Sequence, residues 1–146
     1  QLASPQTTIV RPLSGMSETE LVDPAGVVER YGVAPHQVPD LIALRGDPSD
    51  NIPGARGIGQ KTAAEVLQLY GDLEGVITHA ADLTPARARA VAESAADLRR
   101  FRQLAIMHAD LPIERPDDRV PDWQAGALAC ADAGMGRLAS RLEQRV

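Results

Sequence analysis

The sequence predicts a mainly α-helical fold built around a helix-hairpin-helix, and three observations support this prediction. Apolar residues recur at helical spacing in several segments of the chain. Most of these segments open with a capping residue or a proline and close with glycine. One stretch rich in glycine and proline, RGDPSDNIPGARGIGQKTAAE at residues 45–65, lies between two of them. The 146 residues, 44% of them hydrophobic, suffice for one domain of common size or two small subdomains.

The first elements are expected to be a short strand and a helix. Residues 7–13, TTIVRPL, have the β-branched character of a strand, and residues 16–22 are interpreted as a loop. A helix is then predicted with Asp23 as its N-cap, Pro24 at its first position and Gly32 closing it.

Three more helices follow in the middle of the chain. One is predicted over residues 35–45 and another over residues 60–70, which frame the glycine-rich stretch and end at Gly46 and Gly71. Asp72 is then expected to cap a short third helix.

The remaining helices are predicted in the last third of the chain. Thr84 and Pro85 begin the segment expected to be the longest helix. Its arginine cluster, Arg99, Arg100 and Arg102, is interpreted as a solvated face, with a second phosphate contact as the alternative. Two short helices are predicted over residues 123–132 and 136–143, with Phe101, Trp123 and Cys130 expected to be buried apolar residues.

Charge and composition limit the classes of function. The net charge is −5 and the pI about 5.1, so any contact with nucleic acid must be local. The chain has no long apolar run and does not begin like a signal peptide, which favours a soluble cytoplasmic protein. A single cysteine and three well-separated histidines make an internal disulfide impossible and a structural zinc site unexpected.

Residues 52–59, IPGARGIG, form the candidate hairpin. Glycine lets the backbone turn with positive φ and bring its N–H groups against a phosphate, which also meets the positive end of the next helix. Ile52 and Ile58 are expected to anchor the hairpin in the core. Lys61 would add a charge at the same or a neighbouring phosphate, in a contact that reads the DNA backbone rather than its sequence.

Two other interpretations of this stretch stay open from the residues alone. One is a plain glycine and proline loop with a solvated lysine. The other is a nucleotide-binding P-loop, since Gly54, Gly59, Lys61 and Thr62 nearly match its pattern. Gln60 stands where the P-loop lysine would be, and the preceding segment is predicted as helix rather than the strand a P-loop requires.

Asp47 and Asp50 lie three residues apart just before the hairpin, so both carboxylates can point to one side of a turn. Such hard oxygen ligands suit Mg²⁺ or Mn²⁺. The alternative is that they cap backbone N–H groups of the turn. Metal-binding carboxylates beside a phosphate-binding hairpin are what two-metal phosphodiester hydrolysis requires.

The segment DLIALRGDPSDNIPGARGIGQKTA resembles the C-terminal region of bacterial 5′–3′ exonucleases, which are fused to DNA polymerase I or stand alone and are related to flap endonucleases. The resemblance covers about residues 27–110. It implies a helix-three-turn-helix, or SAM-like, clamp on duplex DNA with a nick, 5′ end or 5′ flap, bound without regard to sequence. It also implies a metal site whose other carboxylates come from an N-terminal α/β domain.

Carried to this chain, the resemblance makes Asp47 and Asp50 ligands of Mg²⁺ or Mn²⁺ and implies no other catalytic residue here. Hairpin carbonyls are implied to hold K⁺. The implied DNA-binding residues are Gly54, Arg56, Gly57, Ile58, Gly59, Gln60, Lys61 and Thr62.

The resemblance also implies a domain division. Residues 1–22 are expected to be the end of an N-terminal PIN-like nuclease domain, residues 23–111 the DNA-binding domain, and residues 112–146 a helical extension. We expect the complete protein to be a 5′–3′ exonuclease or flap endonuclease of DNA replication and repair, and this part alone to cleave little. The alternatives are a non-catalytic helix-hairpin-helix module that binds duplex DNA and a helical protein-interaction domain.

Overall fold

The computed structural model describes residues 1–15, 17–114, 117–118 and 120–145, and the chain divides into two compact units, Gln1–Ala109 and Asp110–Val146. Helices predominate in both units. In the described residues of the first unit the regular elements are β1 (Ile9–Ser14), β2 (Glu18–Val22), α1 (Pro24–Tyr31), α2 (Val38–Arg45), α3 (Gln60–Tyr70), α4 (Leu73–Thr78) and α5 (Pro85–Ala105). The second unit contains α6 (Trp123–Asp132) and α7 (Gly136–Glu143).

The two strands form an antiparallel hairpin. β1 confirms the predicted strand, but the prediction of a loop over residues 16–22 is wrong, because Glu18–Val22 pairs with β1. Met16 lies outside the described residues. The polar sequence ETELV gives little strand signal by itself, and its pairing depends on a partner several residues away. Arg11 faces Glu20 across the ladder, and their side chains form an ion pair at 2.8 Å.

The helix ends follow the capping residues. The Asp23 carboxylate accepts a hydrogen bond from Gly26 N at 2.8 Å, and the Asp72 carboxylate accepts one from Gly75 N at 2.8 Å. Thr84 occupies the N-cap of α5, and its side chain makes no capping bond to any described residue. The helix predicted over residues 35–45 is divided, since Pro35–Gln37 is a 3-10 turn and the α-helix begins at Val38.

The core of the first unit lies between α2, α3, α4 and α5. Leu41, Leu44, Leu67, Leu73 and Leu98 are among its fully buried side chains. Ile52 and Ile58 are 6% and 3% exposed, which confirms that the hairpin between α2 and α3 is anchored in the interior. Phe101 is only partly buried and packs against this core.

The arginine cluster of α5 serves the fold. Arg99 donates two hydrogen bonds of 2.7 Å to Glu74 of α4, and Arg102 pairs with the buried Asp40 of α2. Arg100 contacts Asp97 one turn earlier at 3.2 Å. Arg99 and Arg100 are exposed, as the interpretation of a solvated face expects, and all three arginines also form ion pairs.

The second unit is a helical hairpin with a small interior. Ala127 and Ala139 are its buried apolar residues among those described. Cys130 and Trp123 are half-buried, so the expectation that both are core residues is too strong. None of the helices in the described ranges is long and apolar enough to cross a membrane.

Candidate phosphate-binding hairpin and carboxylate turn

The connection between α2 and α3 is fixed by its own backbone. The N–H of Asp47 donates to Ile52 O at 2.8 Å, and the N–H of Ile52 donates back to Asp47 O at 2.9 Å, which closes a small loop. The N–H of Ala55 donates to Leu44 O at 2.8 Å and joins the hairpin, residues 52–59, to the last turn of α2. The hairpin is therefore rigidly held on the helix before it.

Two glycines of this connection are required by packing. Gly46 and Gly54 have φ values of 83° and 69°, a region that side chains rarely enter. A Cβ atom on Gly54 would lie 2.3 Å from the backbone N of Gly46, and one on Gly46 would lie 2.6 Å from Ile52 O. These glycines let two pieces of backbone touch, which is a structural role.

The other two glycines face open space. A Cβ atom on Gly57 or on Gly59 would meet nothing within 4 Å among the described residues. Gly57 has a φ of 79°, which favours glycine, whereas Gly59 has φ −92° and ψ −178°, which any residue adopts. Neither φ nor packing requires glycine at position 59, although glycine is favourable at an N-cap, and the exposed backbone there is open to an external group.

Gly59 is also the N-cap of α3, and no described side chain caps that helix. The first amides of an α-helix have no partner within the helix, and they carry its positive end. Lys61 is exposed in this first turn, Thr62 is half-buried and Ile58 is buried. The start of α3 therefore combines free N–H groups, a lysine and an accessible glycine backbone.

Gln60 has other partners. Its Oε1 atom accepts a hydrogen bond from Arg45 at 2.7 Å, and its Nε2 atom donates to Arg30 O at 3.1 Å. Arg45 also lies over the ring of Tyr31, 6.0 Å from its centroid. The Gln60 side chain therefore ties α3 to α1 and α2.

The carboxylate turn, Pro48–Asp50 with Asp47 as its N-cap, lies just before the hairpin. Asp47 Oδ1 accepts hydrogen bonds from Ser49 N at 3.0 Å and from Ser49 Oγ at 2.6 Å, while Arg45 lies 3.9 Å from Oδ2. The Ser49 hydrogen bonds, aided by Arg45, hold the pKa of Asp47 below its usual value. Asp47 is therefore ionised at neutral pH and its Oδ1 does cap the turn.

The carboxylates of this turn are of the type that hydrated divalent cations take as ligands. Asp50 is exposed and ends the 3-10 turn that Asp47 caps. Mg²⁺ and Mn²⁺ are bound by one or two carboxylates and keep several waters. Within the described ranges no group of three or more potential metal ligands occurs, so this turn supplies at most part of a coordination shell.

The positive charges of the first unit divide into two sets. Six arginines face acidic partners within 4 Å: Arg11, Arg30, Arg45, Arg99, Arg100 and Arg102. Arg56, Lys61, Arg87 and Arg89 form no ion pair with a described residue. They lie in the hairpin, in the first turn of α3 and in the first turns of α5. Among the described residues of the first unit, the unpaired positive charge thus lies at the hairpin with the start of α3 and at the start of α5, and sequence reasoning singled out only the first of these.

The fold and this site define a mainly helical, SAM-like domain in which a glycine hairpin links two core helices. The model of the family described as 5′-3′ exonuclease, C-terminal SAM fold, matches residues 33–125, and the chain belongs to that family.

Several curated proteins are similar to this chain. DNA polymerase I of Mycobacterium leprae is 38% identical over 148 aligned residues, which cover 100% of this chain and 16% of the polymerase. The 5′-3′ exonuclease of Streptomyces coelicolor is 35% identical over 92% of this chain and 47% of its own length. The thermostable DNA polymerase I of Thermus thermophilus is 40% identical over 78% of this chain and 13% of the polymerase. The chain therefore spans less than half of each of these relatives.

Proposed function

We propose that this chain is the DNA-binding and metal-site-completing C-terminal part of a structure-specific 5′–3′ exonuclease or flap endonuclease that acts in DNA replication and repair. The main support for the proposal is that neither the backbone conformation nor the surroundings of Gly59 require glycine at this position. A phosphate approaching the amides of Gly57 and of residues 59–61 would give glycine a role beyond its N-cap preference, because a Cβ atom at position 59 would stand in its way.

The DNA contact is proposed to be indifferent to sequence. Backbone amides and Lys61 bind phosphate oxygens, which are the same at every base pair. Gly54 shapes the hairpin from inside, Ile58 anchors it, and Arg56, Gly57 and Thr62 surround the phosphate. Gln60 positions the start of α3 through its contacts with Arg45 and Arg30. We further propose that backbone carbonyls of the hairpin hold K⁺ against the same phosphate.

In the complete protein, Asp47 and Asp50 are proposed to complete a site for Mg²⁺ or Mn²⁺ with carboxylates of an N-terminal nuclease domain. Two such ions activate water and stabilise the leaving oxygen in phosphodiester hydrolysis. Within this chain, Ser49 fixes the Asp47 carboxylate through Oδ1, and Oδ2 lies 3.9 Å from Arg45, with which the cation would compete for this oxygen. With part of the ligand set, the isolated chain is expected to cleave little DNA.

Gly59→Ala tests the DNA contact. The variant is expected to stay folded and to lose at most about 1 kcal/mol, because its φ suits alanine and its Cβ meets nothing, while alanine is a poorer N-cap than glycine. It is expected to bind a labelled 5′-flap duplex about tenfold more weakly, since losing one charge-assisted hydrogen bond costs about 1.5 kcal/mol. Fluorescence anisotropy in K⁺ buffer, repeated in Li⁺ buffer, measures the affinity and the contribution of K⁺.

Gly136→Ala is the matched control, because Gly136 also faces open space without positive φ but lies at the start of α7. It is expected to leave binding unchanged. Equal affinities of Gly59→Ala and the unchanged chain would remove the main support for the hairpin as a phosphate site. Nicked, blunt and flapped duplexes, compared in the same assay, report the structural preference.

The capping bonds of Asp47 favour a second candidate, a non-catalytic module that binds duplex DNA. Binding of Mn²⁺ separates the two functions. The nuclease proposal expects weak Mn²⁺ binding by the isolated chain, visible by electron paramagnetic resonance at millimolar metal, and its loss in Asp50→Asn. Asp132→Asn, an exposed aspartate at the end of α6, serves as the control. Identical Mn²⁺ titrations of the three proteins would favour the binding module.

A further inference from the structure

We propose that a second stretch of the same duplex's phosphate backbone lies in a groove between the hairpin and α5, where Arg56 and Arg89 contact it. This inference rests on the proposed DNA-binding function and extends it to a helix outside the carboxylate turn and the hairpin. Sequence reasoning placed the possible second contact at the other end of α5, where the arginines are ion-paired.

The groove is open and polar. Its volume is about 600 Å³. The residues that line it are Gly54, Arg56, Gly57, Ala86, Arg89, Ala90, Glu93, Ser94 and Asp97. The hairpin thus forms one wall and the first three turns of α5 form the other, so a ligand held by the hairpin lies directly beside this groove.

The free charge in the groove is positive. Arg56 and Arg89 are exposed and have no ion-pair partner among the described residues. The charge of Asp97 is offset by Arg100 at 3.2 Å, which leaves Glu93 as the acid of the lining without a described partner. Two arginines against one glutamate attract a polyanion, even though the whole chain carries a net charge of −5.

The lining selects a sugar-phosphate backbone rather than unpaired bases. It contains no aromatic side chain, whereas proteins that bind single strands stack bases on aromatic rings. The small residues of the lining, Gly54, Gly57, Ala86 and Ala90, allow a bulky backbone to approach closely. Arginine is suited to bidentate contacts with phosphate.

The length of the groove fits several phosphates. Ala86 and Asp97 are eleven residues apart on α5, which corresponds to about 16 Å along the helix axis. A duplex advances about 3.4 Å per base pair, so the groove matches about five base pairs. With a duplex lying along α5, a contact at the hairpin and a second at Arg89 would fall on nearby phosphates of one duplex.

Arg89→Gln, alone and combined with Arg56→Gln, tests the groove by anisotropy on the same 5′-flap duplex over a salt series. Each substitution is expected to reduce the slope of log affinity against log salt by about 1. Affinity is expected to fall by about fivefold per arginine, the upper range for a solvent-exposed ion pair. Glu93→Gln is expected to tighten binding, a gain that loss of folding cannot produce.

Arg99→Gln is the matched control on the same helix, because Arg99 is exposed and is paired with Glu74 of α4, which does not line the groove. Lys61→Ala reports on the hairpin in the same assay.

If Lys61→Ala weakens binding while Arg89→Gln matches the unchanged chain in affinity and salt slope, the groove contact is wrong and the proposed function stands. If the unchanged chain binds no duplex at low salt, both fail. A larger effect of Arg89→Gln on single strands than on duplex would overturn the assignment to a duplex.

Discussion

Gly54→Ala is expected to unfold the first unit or to destabilise it by at least about 4 kcal/mol. Single substitutions reach such a loss when they both overpack a site and strain the backbone. The added Cβ would lie 2.3 Å from Gly46 N, 2.6 Å from Arg45 C and 2.7 Å from Leu44 O. All three are backbone atoms, so no side chain can rotate away. The φ of 69° adds strain that alanine rarely tolerates.

Relief of this clash would separate the hairpin from α2 and break the 2.8 Å hydrogen bond between Ala55 N and Leu44 O. Thermal unfolding followed by circular dichroism measures the effect. Gly57→Ala is the matched control three residues on: it has the same sign of φ but meets nothing within 4 Å, so it is expected to cost about 1 kcal/mol. Similar melting temperatures for the two variants would show that the contact between Gly46 and Gly54 is not as tight as the structure has it.

The sequence distinguishes these glycines poorly. Gly54, Gly57 and Gly59 stand in one motif, and each is compatible with a tight turn or with a phosphate contact. Only the three-dimensional structure distinguishes a glycine that packs against backbone atoms from one that faces open space. Pattern and spacing therefore identify the hairpin but not which of its glycines a ligand requires.

Local signals predicted most of the helices. Asp23 and Asp72 cap helices where sequence reasoning placed the caps, because a cap is made by residues three positions apart. Strand β2 was missed since its signal lies in the pairing with β1. For the same reason the ion pair of Arg102 was not foreseen: Arg102 and its partner Asp40 are 62 residues apart, and no periodicity reports such a contact. The arginines at the start of α5 that lack an ion pair with a described residue indicate a candidate phosphate contact only once the ion pairs of the other arginines are known.

Arg102→Met is expected to destabilise the first unit in a manner that depends on pH. Asp40 is 2% exposed, and its carboxylate pairs with Arg102, the cation that links α5 to α2. Burial raises the pKa of Asp40, and the hydrogen bond and charge of Arg102 oppose that rise. Removing one partner of a buried ion pair costs about 3 to 5 kcal/mol, and the 41% exposure of the Arg102 side chain reduces the expected loss to about 2 kcal/mol at neutral pH.

The sign of the pH dependence follows from the direction of the pKa shift. Without Arg102, the pKa of Asp40 in the folded chain rises further above its ordinary value, so the folded state binds a proton more tightly than the unfolded state does. The variant is then most stable below the ordinary pKa of aspartate, and it loses that stability as the pH rises through the folded-state pKa. The difference in unfolding free energy from the unchanged chain is expected to grow as the pH rises above the ordinary pKa of aspartate.

Urea denaturation across this range measures the difference, with two controls. Asp40→Asn combined with Arg102→Met removes the titrating group, so its stability is expected to lack this pH dependence. Arg100→Met breaks only the exposed pair with Asp97 and is expected to cost less than about 1 kcal/mol. A loss in Arg102→Met that stays constant with pH would mean that Arg102 stabilises the fold through the packing of its side-chain stem and not through the charge of Asp40.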